Sequence, residues 1–262
     1  MRYAAGKERG NMLRGYYTAA NGIINEQRIL DIISNNLANV KTAGYKADTA
    51  IPTTFAESLL MINGKHSETG TIRYRTIQST YSLLEQGTLA DTGSNLDIAI
   101  IGPVYFNIES YTDGRTLLTK NGQFDIDNEG FLELGGCGRV LDENGAPIDI
   151  GTSDFTITEE GVITTADGRQ FTLGLSYIED YTDVEKVGDN LFSPYQNAPA
   201  GNIPDDVRYS LRQGWYERSN VDIADEMIKS LDANNVWNAN RQALTIMNSI
   251  NQFACNDLMK KA

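Results

Sequence analysis

The chain has 262 residues, with 35 acidic and 22 basic side chains, one histidine and two cysteines. The net charge of −13 argues against a protein that binds nucleic acid or an anionic membrane, because such proteins need a basic surface. One histidine and two cysteines leave little for zinc binding, Ser-His-Asp catalysis or a disulfide framework. The sequence has no apolar run of membrane-spanning length and no apolar signal-peptide core at its N-terminus.

The charge and the glycines are concentrated in the middle of the chain. Residues 91–206 carry 22 acidic and 5 basic side chains, so this segment has a net charge of −17, and it holds 15 of the 24 glycines. No glycine or proline follows Gly214, which permits a long C-terminal helix. We therefore predict an N-terminal helix, a linker, an acidic β domain and a C-terminal helix over residues 1–46, 47–90, 91–210 and 211–262, respectively.

Apolar residues at alternating spacings of three and four predict an N-terminal helix that packs against a partner helix. The sequence from Asn39 to Gly44 predicts the end of this helix, with Gly44 suited to a left-handed position. The predicted apolar seam begins at Leu13 and has no proline inside it. Its members are Leu13, Tyr16, Ala20, Ile23, Leu30 and Leu37.

The C-terminal helix is expected to begin at Ser219 or Asn220, which are good N-cap residues. Its apolar seam changes position along the helix, which is on the order of 57 Å long at ~1.5 Å per residue and carries few apolar side chains. Either an intramolecular two-helix hairpin or assembly of several copies by helix bundling explains this pattern. The residues predicted to pack against the N-terminal seam are Ile228, Leu231, Val236, Ala239, Ala243, Ile246, Ile250 and Phe253.

The middle of the chain alternates short strands with frequent turns, which predicts an antiparallel barrel or sandwich. The segments Leu96–Ile101 and Val104–Ile108 are predicted strands, and residues 111–115 contain an Asp-Gly hairpin turn. Together with the terminal helices this gives an α+β fold. The sequence contains no phosphate-binding loop, no dinucleotide-binding fingerprint and no nucleophile elbow.

Four features carry possible chemistry, and each has a simpler structural interpretation. Asp125–Gly130 is similar to the start of a calcium loop, but Gly136 occupies the position of the bidentate glutamate, so a strand-connecting turn is favoured. Cys137 lies in a glycine-rich turn without a base nearby in sequence. We interpret Cys255 as a packing residue and His66 as a loop residue. The sequence therefore predicts no catalytic, cofactor-binding or metal site, and no enzyme.

Five stretches, in the same order, resemble bacterial flagellar rod and hook axial proteins. Ser34–Lys46 resembles their Asn-Asn-Leu-Ala-Asn and Gly-Tyr-Lys signature, and Met12–Gly22 is similar to their N-terminus. Thr92–Ile100, Thr119–Gly130 and Gly214–Asn240 resemble their core strand, core hairpin and C-terminal segment. The length and the opening of the chain are most similar to the distal rod type, and next to the proximal rod type. Residues before Met12 precede the family start, so either Met12 is the initiator or these residues are an extension.

The resemblance implies a structural subunit that polymerises helically into the hollow drive shaft of the flagellum. The terminal helices of such proteins pair as a coiled coil around the export channel, and their β domains lie outside. The implied partners are copies of the chain, other rod and hook subunits, surrounding ring proteins and the type III export apparatus, with no nucleic acid and no small-molecule substrate. The implied location is the basal body, reached without a cleaved signal peptide.

The resemblance also implies that the turn leaving the first helix contacts neighbouring subunits. These residues complete the predicted assembly interface: Asn35, Asn36, Asn39, Gly44 and Tyr45. Three alternatives to a rod subunit stay open at this point. One is a monomeric acidic β-domain binding module with a helical hairpin, and another is a hook-type axial protein. The third is a glycan-acting enzyme, which would need two of the central carboxylates about 5–10 Å apart in a cleft.

Overall fold

Two long helices flank a region of short strands in the structure, which is a computed structural model. It describes residues 2–54, 75–178, 184–188, 190–194, 203–204 and 206–260. For residues 2–14, 52–54, 75–79, 254–255 and 257–260 it describes the backbone only. Helix α1 is Arg2–Ala38 and helix α2 is Ile223–Lys260. None of the described helical residues forms a stretch long and apolar enough to cross a membrane.

Helix α1 ends where the sequence predicts and begins earlier than the predicted seam. It stops at Ala38, and a turn leads to Gly44, whose φ of 64° is the left-handed conformation predicted for this glycine. It begins at Arg2, because the residues before Leu13 include alanine, lysine, arginine and glutamate, which are good helix formers.

Helix α2 begins three residues after Asn220 because Asn220 is used elsewhere. The Asn220 side chain binds the backbone of Ala47 and Leu83 instead of capping the helix. Ser219 accepts a hydrogen bond from the Val221 N–H at 3.3 Å, which turns the chain just before the helix. The helix therefore starts at Ile223 instead of directly after the predicted cap.

Short strands fill the sequence between the helices, which confirms the α+β class. The described strands are β1 (Asp48–Thr54), β2 (Arg75–Ser82), β3 (Leu89–Asp91), β4 (Ile98–Ile101), β5 (Val104–Ser110), β6 (Thr116–Thr119), β7 (Asp125–Ile126), β8 (Leu132–Leu134), β9 (Gly138–Val140), β10 (Phe155–Ile157), β11 (Val162–Thr165), β12 (Gln170–Thr172), β13 (Leu175–Tyr177), β14 (Val184–Gly188), β15 (Leu191–Pro194), β16 (Ser210–Gln213) and β17 (Trp215–Glu217).

The largest sheet has eight strands in the order β14-β15-β6-β5-β9-β8-β7, with β13 paired to β5. Strands β5 and β6 form the hairpin predicted from the Asp-Gly turn, and Phe106 lies opposite Thr119. Strands β10, β11 and β12 form an antiparallel meander. The predicted strand before Gly102 is β4, which pairs with the distant strand β16. Strand β3 likewise pairs with the distant strand β17.

The chain divides into two compact units. The first comprises residues 1–37, 49–80 and 223–262, and it contains both helices. The second comprises residues 38–48 and 81–222, and it contains the acidic β region. The domain boundaries predicted from the sequence remain a prediction, and the predicted β content at residues 72–74 lies outside the described residues.

The second unit contains a continuous apolar core. The rings of Phe106 and Phe124 meet edge to face with centroids 5.0 Å apart. Aliphatic side chains from neighbouring strands complete this core, and they are fully or almost fully buried: Ile98, Ile100, Val104, Ile108, Leu132, Val140, Ile148 and Ile163. Because alternate residues of these short strands point inward, each strand contributes to one shared core.

Replacing Leu132 by alanine should destabilise the second unit. Leu132 has no exposed surface, so the substitution removes buried apolar atoms and leaves a cavity, which costs about 2–5 kcal/mol of unfolding free energy. Urea denaturation of both variants measures the loss. The matched control is Leu231→Ala, because that leucine is 66% exposed and its replacement should leave the urea midpoint unchanged. Equal midpoints for the two variants would contradict this account of the core.

Candidate functional site

The two helices of the first unit contact each other in an antiparallel direction. The Asn36 Nδ2 atom donates a hydrogen bond of 3.4 Å to Glu226 Oε2. These two side chains are 2% and 5% exposed, so they meet inside the contact. Farther along, a Cβ atom added to Gly22 would lie 2.6 Å from Nδ2 of Asn240. The helices are therefore close enough at Gly22 that a side chain there would displace Asn240.

A third pair of residues shows that the register stays constant. A Cβ atom added to Gly15 would lie 2.8 Å from the Cε atom of Met247. In this pair, as in the two above, the residue numbers add to 262. A constant sum means that the antiparallel alignment is kept from residue 15 to residue 36 of α1. At the two glycines, a larger residue would require the Met247 or the Asn240 side chain to move.

The contact follows one stripe of residues on each helix, which we call the inner stripes. Their members repeat at alternating spacings of four and three, they are buried or half-buried, and most are small or polar. On α1 the inner stripe is Gly15, Ala19, Gly22, Glu26, Ile29, Ile33 and Asn36. On α2 it is Glu226, Ser230, Ala233, Trp237, Asn240, Leu244 and Met247. Burial raises the pKa of Glu26, in agreement with its place on this stripe.

The interface residues predicted from the sequence lie mainly beside the inner stripes. Tyr16 is exposed, Ala20, Ile23, Leu30 and Leu37 are half-buried, and the side chain of Leu13 lies outside the described residues. On α2 the structure leaves all but one of the predicted residues exposed, and Ala243 is half-buried. The exposed residues are Ile228, Leu231, Val236, Ala239, Ile246, Ile250 and Phe253.

The turn that follows α1 is built by residues of the family signature. Asn39 accepts two hydrogen bonds from Thr42, one at its carbonyl oxygen (3.1 Å) and one at its side-chain oxygen (3.2 Å). The Gly44 N–H donates to the Glu217 carbonyl oxygen at 2.7 Å. A Cβ atom at Gly44 would overlap the backbone of Asn121. Glycine is therefore required here by both its positive φ and its surroundings.

The remaining signature residues differ in exposure. Asn35 is exposed, whereas Tyr45 is only 2% exposed and lies in the second unit. The Lys186 ammonium lies 4.1 Å from the centroid of the Tyr45 ring and 2.9 Å from the Asp48 carboxylate. Tyr45 therefore packs within its own unit.

A buried ion cluster lies next to this turn in the second unit. The Lys46 Nζ atom lies 2.7 Å from Glu217 Oε1, and both side chains are almost completely buried. Lys46 also donates to the Glu85 carbonyl oxygen at 2.7 Å. The Gly87 N–H donates to the same Glu217 oxygen at 2.8 Å. Hydrogen bonds from charged and neutral donors thus compensate the burial of the Glu217 carboxylate at Oε1.

A second buried lysine approaches the other oxygen of Glu217. The Lys120 Nζ atom is 3.9 Å from Glu217 Oε2, and this oxygen accepts no hydrogen bond from the described residues. Lys120 donates to the Gly102 carbonyl oxygen at 2.5 Å and lies 5.2 Å from the Tyr105 ring centroid. Burial lowers the pKa of the Lys120 ammonium to about 8, although the Glu217 charge opposes this shift. Burial, followed by the charge of Glu217, raises the pKa of Tyr105.

Asn220 joins three chain segments beside the ion cluster. Its Oδ1 atom accepts a hydrogen bond from the Ala47 N–H at 2.7 Å, and its Nδ2 atom donates to the carbonyl oxygens of Leu83 (2.9 Å) and Glu85 (3.2 Å). Its backbone N–H donates to the Tyr45 carbonyl oxygen at 3.4 Å. The chain after α1 and the chain before α2 are therefore held side by side. We call residues 43–48, 83–87 and 217–220 the junction.

Sequence reasoning missed the junction. Lys46, Lys120 and Glu217 all lie in stretches that resemble family motifs, but they are far apart in sequence. The available signal was that each charged residue has apolar neighbours in the sequence, which is unusual for a charged side chain at the surface. Nothing in a single sequence indicates that these three charges meet.

The loop that is similar to a calcium loop serves as a turn. It connects β7 and β8, which confirms the predicted strand-connecting turn. One oxygen of Asp127 accepts hydrogen bonds from the N–H groups of Glu129 and Phe131, and the other lies 2.7 Å from Arg139. The described residues contain no group of three or more side chains placed to hold a metal ion. Half-buried Cys137 lies between β8 and β9, whereas His66 and the side chain of Cys255 lie outside the described residues.

Comparison with known proteins gives matches over almost the whole chain. The family model described as flagella basal body rod protein matches residues 17–46. The flagellar basal-body rod protein FlgG of Bacillus subtilis is 32% identical over 271 residues, which cover 94% of this chain and 99% of that protein. The chain belongs to the flagellar basal-body rod protein family. It is a structural subunit of the flagellar rod.

Two further relatives of this rod protein match at similar identity. FlgG of Agrobacterium fabrum is 30% identical over 268 residues, which cover 94% of this chain and 100% of that protein. The flagellar hook-basal body complex protein FlhP of Bacillus subtilis is 29% identical over 259 residues, which cover 90% of this chain and 96% of that protein. The similarity therefore extends over both helices and the β region.

The two buried lysines of the rod protein should differ in their effect on stability. Lys46→Met removes the cation at 2.7 Å from the Glu217 carboxylate, and breaking such a buried pair costs about 3–5 kcal/mol of unfolding free energy. Lys120→Met removes a cation at 3.9 Å whose charge is disfavoured by burial, so the loss should be much smaller. Urea denaturation at pH 7 compares the two variants. A larger loss for Lys120→Met would contradict the assignment of Lys46 as the main partner.

Lys120 should also make the stability depend on pH in the alkaline range. Its pKa is lowered from 10.5 to about 8 in the folded protein, so between these values the unfolded chain binds more protons. The contribution of Lys120 to the free energy of unfolding should therefore rise from pH 8 to pH 10.5, by at most about 1.4 kcal/mol per pH unit. Lys120→Met should lack this contribution. Parallel pH profiles for the two proteins would contradict the lowered pKa.

Proposed function

We propose that this rod subunit polymerises helically through α1 and α2 to form a hollow shaft that transmits torque from the motor to the hook. The observation that carries the proposal is the row of large apolar side chains that the folded chain leaves exposed on α2. Ile246 is 61% exposed and Phe253 is 74% exposed. Exposed apolar surface of this extent on a helix favours contact with another protein surface.

The proposal includes a coiled coil formed by α1 and α2 within each subunit. Three observations support it: the antiparallel direction, the constant register and the alternating spacings of the inner stripes. The inner stripes contain glycine, alanine, serine, asparagine and glutamate as well as a few large apolar residues. Such a contact buries little apolar surface, so we expect assembly to add much of the stability of the helices.

The acidic β region would face outward from the shaft. Its net charge of −17 disfavours close packing of this region against its own copies, whereas the helical ends are almost neutral. We propose that its partners are other rod and hook subunits, the surrounding ring proteins and the type III export apparatus. The location would be the basal body, reached without a cleaved signal peptide, and the subtype would be the distal rod.

A monomeric binding module with a helical hairpin is the second candidate function. One observation favours it, because the helices contact each other within a single chain. It does not account for the exposed apolar row on α2, which a stable monomer would cover or lack. The two functions differ in whether the end of α2 is needed for incorporation into a larger structure.

Truncation after Asn240 should abolish assembly of the rod. The truncated chain loses Ile246, Ile250 and Phe253, so we expect a strain that carries it to be non-motile, with the protein absent from purified basal bodies. Swimming in soft agar and immunoblots of basal bodies measure this loss. Near-ultraviolet circular dichroism of the purified chain should show that the β region stays folded.

The control for truncation is the full-length double variant Gln242→Ala and Gln252→Ala. Both glutamines are exposed and polar, so their replacement should leave motility and incorporation unchanged. Normal swimming of the truncated strain, with the chain present in basal bodies, would overturn the proposed function.

A further inference from the structure

We infer that copies of the rod protein join head to tail through two different helical surfaces. One surface lies on α1 and the other on α2, and we call them the outer stripes. The outer stripe of α1 is Tyr16, Ala20, Ile23, Gln27, Leu30, Ser34 and Leu37, and that of α2 is Val236, Ala239, Ala243, Ile246, Ile250 and Phe253. The inference rests on the proposed helical polymerisation, and it adds which surface of one copy meets which surface of the next.

The composition of the outer stripes is that of a contact surface. Neither stripe contains a charged residue, whereas the inner stripes contain Glu26 and Glu226. The α2 stripe consists only of apolar residues, and four of its six members are large and exposed. Depletion of charge together with exposed aliphatic and aromatic side chains is typical of the centre of a protein interface. The alternating spacings of three and four allow each stripe to pack against another helix.

The outer stripes are offset from the inner stripes by one residue in opposite directions along the sequence. On α1, each outer position follows an inner position, as Ile23 follows Gly22. On α2, each outer position comes one residue before an inner position, or before a position that continues the inner spacing, as Ile246 comes before Met247. One residue corresponds to a rotation of about 100° around a helix. Each outer stripe therefore points roughly perpendicular to the line that joins the two helix axes.

The antiparallel direction places the two outer stripes on opposite sides of the helix pair. Viewed along one axis, a step forward on α1 and a step backward on α2 rotate in the same sense, because the helices run in opposite directions. The two inner stripes face each other, so they point in opposite directions. Each outer stripe is rotated from its inner stripe by the same angle in the same sense, so the two outer stripes also point in opposite directions. A pair of helices with one apolar stripe on each side fits a row of copies.

Such a contact does not close on itself. The α1 stripe of one copy meets the α2 stripe of the next, which leaves one free stripe at each end of any row, so the interface is heterologous. The inner register places the centre of the α2 stripe beside residue 17 of α1, whereas the α1 stripe is centred near residue 26. Alignment of the two stripes therefore shifts neighbours by roughly 14 Å along the helix axis. A shift of this kind favours a helical array over a flat ring.

Two variants test the head-to-tail arrangement. Ile23→Asp blocks the α1 stripe, and Ile246→Asp blocks the α2 stripe, so each variant keeps one intact surface. Analytical ultracentrifugation should show oligomers that grow with concentration for the unmodified chain, monomers for each variant alone, and heterodimers for an equimolar mixture. The heterodimer is expected because the intact α2 stripe of the first variant meets the intact α1 stripe of the second.

Matched controls separate surface effects from loss of folding. Ile24→Asp changes the neighbouring residue, which is 52% exposed and lies on neither stripe, and Gln242→Asp introduces the same charge on α2. Both controls should assemble like the unmodified chain. Far-ultraviolet circular dichroism should show the same helix content in all four variants. If Ile23→Asp loses helix, Ala20→Asp replaces it as the variant that blocks the α1 stripe. If Ile246→Asp loses helix, Ile250→Asp replaces it for the α2 stripe.

Dimers formed by either blocked variant alone would overturn the inference, because they would show that like stripes meet. Oligomers of unchanged size from both blocked variants would also overturn it. In these cases the truncation after Asn240 still decides the proposed function independently. A blocked variant that assembles while the truncated chain does not would refute the assigned surfaces and leave polymerisation through the helices intact.

Discussion

The close antiparallel contact between α1 and α2 determines which faces of the two helices are left for other contacts. At Gly15 and Gly22 the opposite helix is so near that an added Cβ atom would displace the ends of the Met247 and Asn240 side chains. Because the register is constant, one stripe of each helix is covered along the whole contact. The small and polar inner stripes are used within the chain, and the large apolar residues of the α2 outer stripe are left exposed. The apolar residues that usually form a protein core are therefore available for contacts between copies.

The junction in the second unit holds together the chain segments that lead out of α1 and into α2. Lys46 follows the first helix, Glu217 precedes the second, and their buried ion pair at 2.7 Å joins the two segments. Asn220 adds hydrogen bonds to the same segments. A buried pair of this kind contributes little net stability compared with apolar residues, but breaking it is costly.

Local sequence patterns were enough to predict the class of the fold, the stop signal of α1 in the stretch from Asn39 to Gly44, and the hairpin between β5 and β6. These features depend on residues that are close in sequence, such as the turn before Gly44. The pairing of β4 with β16 and the junction of Lys46 with Glu217 could not be predicted, because each joins segments more than 100 residues apart. The apolar pattern of the helices identified the surfaces with large side chains. It did not identify the residues of the contact between α1 and α2, since small and polar residues line the inner stripes.

An electron cryo-microscopy structure of the assembled rod tests the central claim most directly. The account predicts that Asn36 still meets Glu226 of the same subunit, and that Gly22 still faces Asn240. It also predicts that Ile23 lies in the interface with the α2 outer stripe of the neighbouring subunit, with Ile246 and Phe253 buried there. An assembled rod in which Asn36 meets Glu226 of a different subunit, or in which Ile246 and Phe253 face solvent, would contradict the division into inner and outer stripes.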